Sequence, residues 1–315
     1  MKDRVTILTG GVGGAKLALG LCHAIPAAQV SAIVNTGDDF VHLGLAISPD
    51  LDTLLYSLSG QAHPVQGWGR SFETWHFLEA ARSLGAEDWF ALGDADLALH
   101  VLRTQQLRAG LPLSQITAGF ARHWQIAARI LPMSDDPVAT HVLTTDAELD
   151  FQQYFVKQRC APPVVAIRFQ GSAAARPAPG VLAALHEERL RAILIAPSNP
   201  YLSIDPILAV PAIRQALLQR TVPVVAVSPL VGGAAVKGPT AKIMRELGLT
   251  VSSATIARHY GDLIDALVVD ARDPPEPLEV AHTRTDTLMK TLQDRTRVAH
   301  AALELADRTA IRVRR

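Results

Sequence analysis

Glycines and carboxylates cluster in the first sixty residues in a pattern suited to phosphate chemistry. An apolar run containing Val5, Ile7 and Leu8 leads straight into Gly10-Gly11-Val12-Gly13-Gly14-Ala15-Lys16. Glycines there let backbone N–H groups approach phosphate oxygens. A following helix adds unpaired N–H groups and a favourable dipole, and Lys16 adds a positive charge. A second apolar run ends in Asn35-Thr36-Gly37-Asp38-Asp39, and Ser48-Pro49-Asp50-Leu51-Asp52 follows soon after. Two carboxylates beside a phosphate are what Mg2+ uses, with waters completing its shell. Asp38 and Asp50 are the expected ligands. Asp52 suits the same cluster or the first turn of a helix starting at 51, which Ser48 or Asp50 would cap.

The glycine loop departs from the Walker A form, because its spacing differs and no Ser or Thr follows the lysine. It also departs from the dinucleotide fingerprint in glycine spacing. Further along, Ser134-Asp135-Asp136-Pro137 is an acidic pair with ordinary turn chemistry. Ser198-Asn199-Pro200 and Ser228-Pro229-Leu230-Val231-Gly232-Gly233 each close an apolar run, and Lys237-Gly238-Pro239 follows the second. Asn199 offers both a donor and an acceptor, and the Gly232-Gly233 pair lets amides line a pocket. Simple strand termination is the plainer alternative for both. Trp68, Trp75, Trp89 and Trp124 all fall between residues 59 and 130. Such a segment can receive a flat ring, with Trp89 and Trp124 read as its core. His63, His76, His100, His123 and His141 show no metal-binding spacing and read as surface or core.

These residues must be carried by β-α-β units. Residues 4–9 read as a buried parallel strand, 14–25 as a helix stopped by Pro26, and 29–34 as the next strand. A right-handed crossover then puts both strand ends on one side of the sheet. A short helix is expected over 51–58, and helices over 71–84, 94–108 and 113–127. After a β-like segment at 164–169, strands are expected at 191–196, 222–227, 249–253 and 265–270, then a charged helix over 284–308. The expected fold is α/β, with a parallel-sheet core from 1–58 and 131–315 and a mostly helical lobe inserted at 59–130. Ligands of open parallel sheets bind outside the carboxyl ends of the strands. Gly10, Asn35, Ser198 and Ser228 stand at four such ends.

Thirty Lys and Arg balance thirty Asp and Glu, which argues against nucleic acid as the main partner. Cys22 and Cys160 are far apart and suggest neither a disulfide framework nor a cysteine-built metal site. The first residues do not read as a signal peptide, and no apolar run reaches membrane-spanning length. A soluble cytoplasmic protein is expected.

In order and combination these motifs resemble the 2-phospho-L-lactate transferase family of deazaflavin coenzyme (F-420) biosynthesis, over nearly the whole chain. The residues that carry the resemblance are Gly10 to Lys16, Asn35 to Asp39, Ile47 to Thr53, Leu92-Gly93-Asp94, Leu131 to Asp136, Ala196 to Pro200, Ser228-Pro229 and Gly238-Pro239. The resemblance implies a Rossmann-like core with an added helical lobe, a homodimer, and Mg2+ as cofactor. It also implies a reaction. The donor is a three-carbon phosphoacid activated as its GDP-linked diphosphate, and the acceptor is the deazaflavin Fo. The terminal hydroxyl of the ribityl chain attacks the phosphorus next to the acid, and GMP leaves. On this reading Asp38 and Asp50 hold Mg2+ against the diphosphate, with Asp52 behind them. Gly11, Gly13, Gly14 and Lys16 take phosphate or the acid group. Ser198, Asn199, Ser228, Gly232 and Gly233 hold the guanosine part. Asp50 also lies where the family contacts the deazaflavin, and Asp135 is the expected base.

The family commonly has Gly-Asp-Arg-Asp where this chain has Gly93-Asp94-Ala95-Asp96. Arg70 or Arg103 is then the expected substitute at the substrate. The donor acid stays open among phospholactate, phosphoenolpyruvate and phosphoglycerate. A sister group, the gluconeogenesis-factor regulators, shares the glycine loop and an acidic strand end. Membership there would make the protein a nucleotide-sugar-binding regulator without turnover. The Ser48–Thr53 and Pro132–Asp136 segments favour the transferase. A nicotinamide-dependent dehydrogenase fits worse, on glycine spacing.

Overall fold

The structure is a computed structural model describing residues 3–64, 67, 69–235 and 238–313, with side chains through Ala310. Trp68 and Lys237 lie outside the described residues. Seven parallel strands form the main sheet: β1 Arg4–Thr9, β2 Val30–Val34, β3 Arg129–Pro132, β4 Leu190–Ile195, β5 Val224–Val227, β6 Ala266–Asp270 and β7 Ala281–Thr285. Their spatial order is β3-β2-β1-β4-β5-β6-β7. The order reverses between β1 and β4, which makes a Rossmann-like switch point there. Register sharpens the point. Thr9 pairs with Val34 and Leu8 with Ile195, so Gly10, Asn35 and the Ala196–Asn199 loop leave the sheet side by side.

The central strands β1, β2, β4, β5 and β6 are buried on both faces because helices cover both. Val5 and Ile7 point to one layer, packed with Leu17 and Leu21 of the Gly11–Ala24 helix, Leu51 and Leu55 of the Pro49–Leu58 helix, and Val298 and Ala302 of the Leu292–Val313 helix. Leu8, Ile193 and Ile195 point to the other, against Val181, Ile207, Ile213 and Ile256. Each fully buried Leu or Ile contributes about 1.5–3 kcal/mol, and Leu17→Ala would cost about 2–5 kcal/mol.

A smaller antiparallel sheet pairs Ala139–Thr144 with Glu148–Asp150 on one side and Val164–Gln170 on the other. A π-helical turn at Gln153–Lys157 follows its Glu148–Asp150 strand. Among the described residues no helix is long and apolar enough to cross a membrane.

Several elements depart from the sequence expectation. Residues 249–253 form no strand. They lead into a helix at Ser253–Tyr260, whose Ser252 hydroxyl accepts the Thr255 N–H at 3.2 Å. Residues 281–285 are strand β7, and the C-terminal helix begins only at Leu292. The expected helix over 71–84 is confined to His76–Ser83, and that over 113–127 ends at His123. Strand β3 lies at the sheet edge, where Pro132 removes no needed ladder donor.

Candidate active site

A cavity of about 710 Å3 opens at the carboxyl ends of β1, β2, β4 and β5. Gly11, Gly13, Lys16, Asp38, Asp50, Asp52, Ser198, Asn199 and Ser228 all line it. Residues separated by more than 200 positions in the chain, Gly11 and Ser228, are thus brought together by the strand order.

The floor is the start of the Gly11–Ala24 helix, where the first N–H groups have no intrahelical acceptor. The Gly11 N–H donates to Asp50 Oδ1 at 2.7 Å, which leaves the Val12 and Gly13 amides for a ligand. Ser198 ties this helix to the β4 loop: its hydroxyl accepts from Gly10 N at 3.2 Å and donates to Gly10 O at 2.6 Å. The glycines permit this approach. A Cβ on Gly13 would stand 2.7 Å from the Pro197 carbonyl oxygen, and one on Gly14 would stand 2.7 Å from Ser198 Oγ. Gly14 is therefore a packing glycine and is not part of the cavity lining. Asn199 accepts the Tyr201 and Leu202 amides at 3.0 and 3.2 Å on Oδ1. Its Nδ2 is buried without a hydrogen-bond partner.

Asp38 and Asp50 are both buried on the cavity wall. Asp50 Oδ2 accepts from Asn35 Nδ2 at 3.0 Å, and Asn35 Oδ1 accepts the Gly37 N–H at 2.8 Å. Burial pushes the Asp50 carboxyl up to about 6, against the pull of its bonds from Asn35 and Gly11. Burial, and then the neighbouring Asp50 charge, hold Asp38 well above the usual carboxylate range. Asp38 Oδ1 is buried with no hydrogen-bond partner. A cation is one partner that can satisfy a carboxylate oxygen in that condition. Two carboxylates plus substrate phosphates suit Mg2+. Among the described residues no group of three or more His, Cys, Asp or Glu is arranged to hold a metal alone.

The opposite wall was not foreseen as a unit. Asp52 pairs with the fully buried Arg103, whose Nη1 is 3.1 Å from Asp52 Oδ2. Tyr56 donates its hydroxyl to Asp96 Oδ1, and His100 lies between Asp96 and Asp52. Tyr56, Asp96 and His100 line the cavity. The i, i+4 spacings Asp52–Tyr56 and Asp96–His100 were the available signal. Trp89, Phe90, Phe151 and Phe155 form an apolar end, with Phe151 and Phe155 stacked at 5.2 Å. Trp89 thus faces the cavity rather than a lobe core, whereas Trp124 packs on Tyr56. Gln152, also missed, lines the cavity and donates to the Asp38 carbonyl at 3.2 Å.

Other expected residues lie elsewhere. Both Asp135 oxygens are taken by Ser114, its N–H and its hydroxyl each at 2.7 Å. Asp135 serves the first turn of the Leu113–His123 helix and is not among the cavity-lining residues, so the structure does not bring the expected base into the site. Arg103 is committed to Asp52. Arg70 donates to Ala95 O at 3.1 Å and Gln61 Oε1 at 2.6 Å, with its guanidinium 5.9 Å from the Tyr56 and Trp124 rings. Neither arginine lines the cavity. Gly232 and Gly233, at φ +62° and +73°, make the turn between Leu230–Val231 and Ala234–Ala235. The Gly233 N–H goes to Asp273 at 2.8 Å. They shape a hairpin, and Val231 rather than either glycine lines the cavity.

The model of the family described as 2-phospho-L-lactate transferase CofD matches residues 5–311. A phosphoenolpyruvate transferase of Streptomyces griseus subsp. griseus is 45% identical over 315 residues, covering 96% of this chain and 98% of that protein. One from Thermobifida fusca is 40% identical over 318 residues, with the same shares covered. Among solved structures, BH3568 of Bacillus halodurans, a UPF0052 family member, superposes with TM-score 0.65 at 17% identity, over 96% of this chain and all of that one. That likeness is one of fold. The chain belongs to the 2-phospho-L-lactate transferase CofD family.

Proposed function

We propose that the protein moves a phospho-three-carbon-acid group, phosphoenolpyruvate in the first place, from its GDP-linked diphosphate to the terminal ribityl hydroxyl of Fo, in F-420 biosynthesis. The observation that carries this reading is the meeting of two buried carboxylates, Asp38 and Asp50, with the open amides of a helix start in one cavity. Phosphoryl-type transfer needs positioning and charge neutralisation more than covalent help. The Val12 and Gly13 amides and Lys16 orient the donor phosphates, and Asn199 Nδ2 supplies a further donor. Ser228 borders the same space toward the guanosine. Asp38 and Asp50 would hold Mg2+, which when bound neutralises charge on the diphosphate. The end formed by Trp89, Phe90, Phe151 and Phe155 suits the flat deazaflavin ring, under the lobe assigned to 59–130. The new bond joins the ribityl oxygen to the phosphorus bearing the acid, and the hydroxyl proton passes to solvent water. The bond from that phosphorus to the bridging oxygen breaks, and GMP leaves with it.

The names of the relatives support the enolpyruvyl donor over the lactyl and glyceryl ones. We take a cytoplasmic homodimer as the working form. The free Cys22 and Cys160 suit a reducing compartment. Exposed Val41, Phe72 and Leu84 offer apolar surface to a second copy. Incubation with Mg2+, Fo and each of the three GDP-activated acids separately, followed by product mass and GMP, tests the reading. The expected result is the phosphoenolpyruvyl product. Nucleotide binding with no product from any donor would replace it with the regulator reading.

A further inference from the structure

The two ends of the cavity have opposite chemistry. At the helix start, amides and Lys16 suit an anion. At the other wall stand Asp52 from one helix and Asp96 from another, with the buried Arg103 beside Asp52. Arg103 is matched to Asp52, and the Tyr56 hydroxyl to Asp96. His100 stands against both carboxylates. Its side chain is 2% exposed, it borders the cavity, and its Nε2 stands 3.3 Å from Asp96 Oδ2 without making a hydrogen bond. That contact with Asp96 falls outside hydrogen-bond geometry, so the buried ring nitrogen keeps room for a better-aligned partner, and the cavity is the side from which one can come.

A phosphate oxygen is excluded by the adjoining carboxylates. A neutral hydroxyl fits, because it both donates and accepts, and His100 with Asp96 presents both kinds of partner. The wall also has length. Asp50 and Tyr56 are six residues apart on one helix, about 9 Å. That is room for a chain of about five carbons advancing ~1.3 Å per bond.

We infer that His100, Asp96 and Tyr56 form a hydroxyl-reading subsite that recognises a polyhydroxylated chain and selects acceptors carrying one. The inference rests on the transferase reading. Its test compares Fo with a deazaflavin bearing a 5-hydroxypentyl chain, which keeps the reacting hydroxyl and lacks the inner ones. The wild-type protein with Mg2+ and donor is expected to favour Fo in kcat/KM by about tenfold, one or two buried hydrogen bonds' worth. His100→Gln and Tyr56→Phe are each expected to erase most of that preference. They should do so by lowering kcat/KM for Fo while leaving the pentyl acceptor and the KM for donor unchanged. If His100→Gln does not fold, Tyr56→Phe, which removes one oxygen, carries the comparison. Equal losses on both acceptors, a raised donor KM, or a wild type indifferent to the inner hydroxyls would overturn the subsite while Fo is still turned over. No product from either acceptor would overturn the transferase reading itself, and the subsite with it.

Discussion

Replacing Asp50 with Asn is expected to stabilise the ligand-free protein at neutral pH while abolishing transfer. Burial raises the Asp50 carboxyl to about 6, against roughly 3.9 in an unfolded chain. Between those values the folded state binds more protons than the unfolded one. The stabilising contribution of this group is therefore complete below about pH 3.9 and is lost as pH rises through about 6. Two units correspond to about 3 kcal/mol of penalty at pH 7. Asn carries no charge, but it cannot accept from both the Gly11 N–H and Asn35 Nδ2, the two donors that Asp50 now satisfies. That loss costs about 1 kcal/mol. The balance favours the variant by about 1–2 kcal/mol at pH 7, a rise in Tm of about 2–6 °C. At pH 4 the balance changes sign, because only the lost hydrogen bond remains. Calorimetric melts of both proteins between pH 4 and 8 without divalent cations, paired with the transfer assay, read both effects. A variant destabilised by the same margin at pH 4 and pH 7 would refute the claim that the Asp50 charge is held at a cost.

Gly13→Ala forces a Cβ to 2.7 Å from the Pro197 carbonyl oxygen. It should cost about 1–3 kcal/mol in stability and weaken GDP binding measured by calorimetry. Asp135→Ala should lose about 0.5–2 kcal/mol in denaturant melts through the Leu113–His123 helix, with kcat unchanged; a collapse of kcat would restore Asp135 to the chemistry. Arg103→Met strands the buried Asp52 carboxylate. It should destabilise by about 3–5 kcal/mol in urea titrations, more than Arg70→Met.

The parts of the site legible in the sequence are those fixed by parallel-sheet geometry. The loops after β1, β2, β4 and β5 follow clear apolar runs, and a Rossmann-like order gathers their ends whatever the side chains are. Strand β3 is short and carries Pro132, and β7 reads Ala-His-Thr-Arg-Thr at the opposite edge; neither has an apolar run to announce it. Residues 249–253 had β-branched residues but also Ser252, whose capping role decided the outcome. The direction in which a carboxylate points is set by tertiary packing. Asp135 and Asp38 both follow strands, yet one turns to Ser114 and the other into the cavity. Arg103 was expected at the substrate, whereas its partner is Asp52, 51 positions away on another helix. His100 had a legible i, i+4 partner in Asp96, but its second carboxylate neighbour, Asp52, comes from another helix.

A crystal structure of the protein with GDP, Mg2+ and Fo tests the central claim most directly. The account predicts the diphosphate against the Val12 and Gly13 amides, the cation between Asp38 and Asp50, and the ribityl chain along Tyr56, Asp96 and His100. A diphosphate bound away from the Gly11–Ala24 helix start, or a cation with no bond to Asp38 or Asp50, would contradict it.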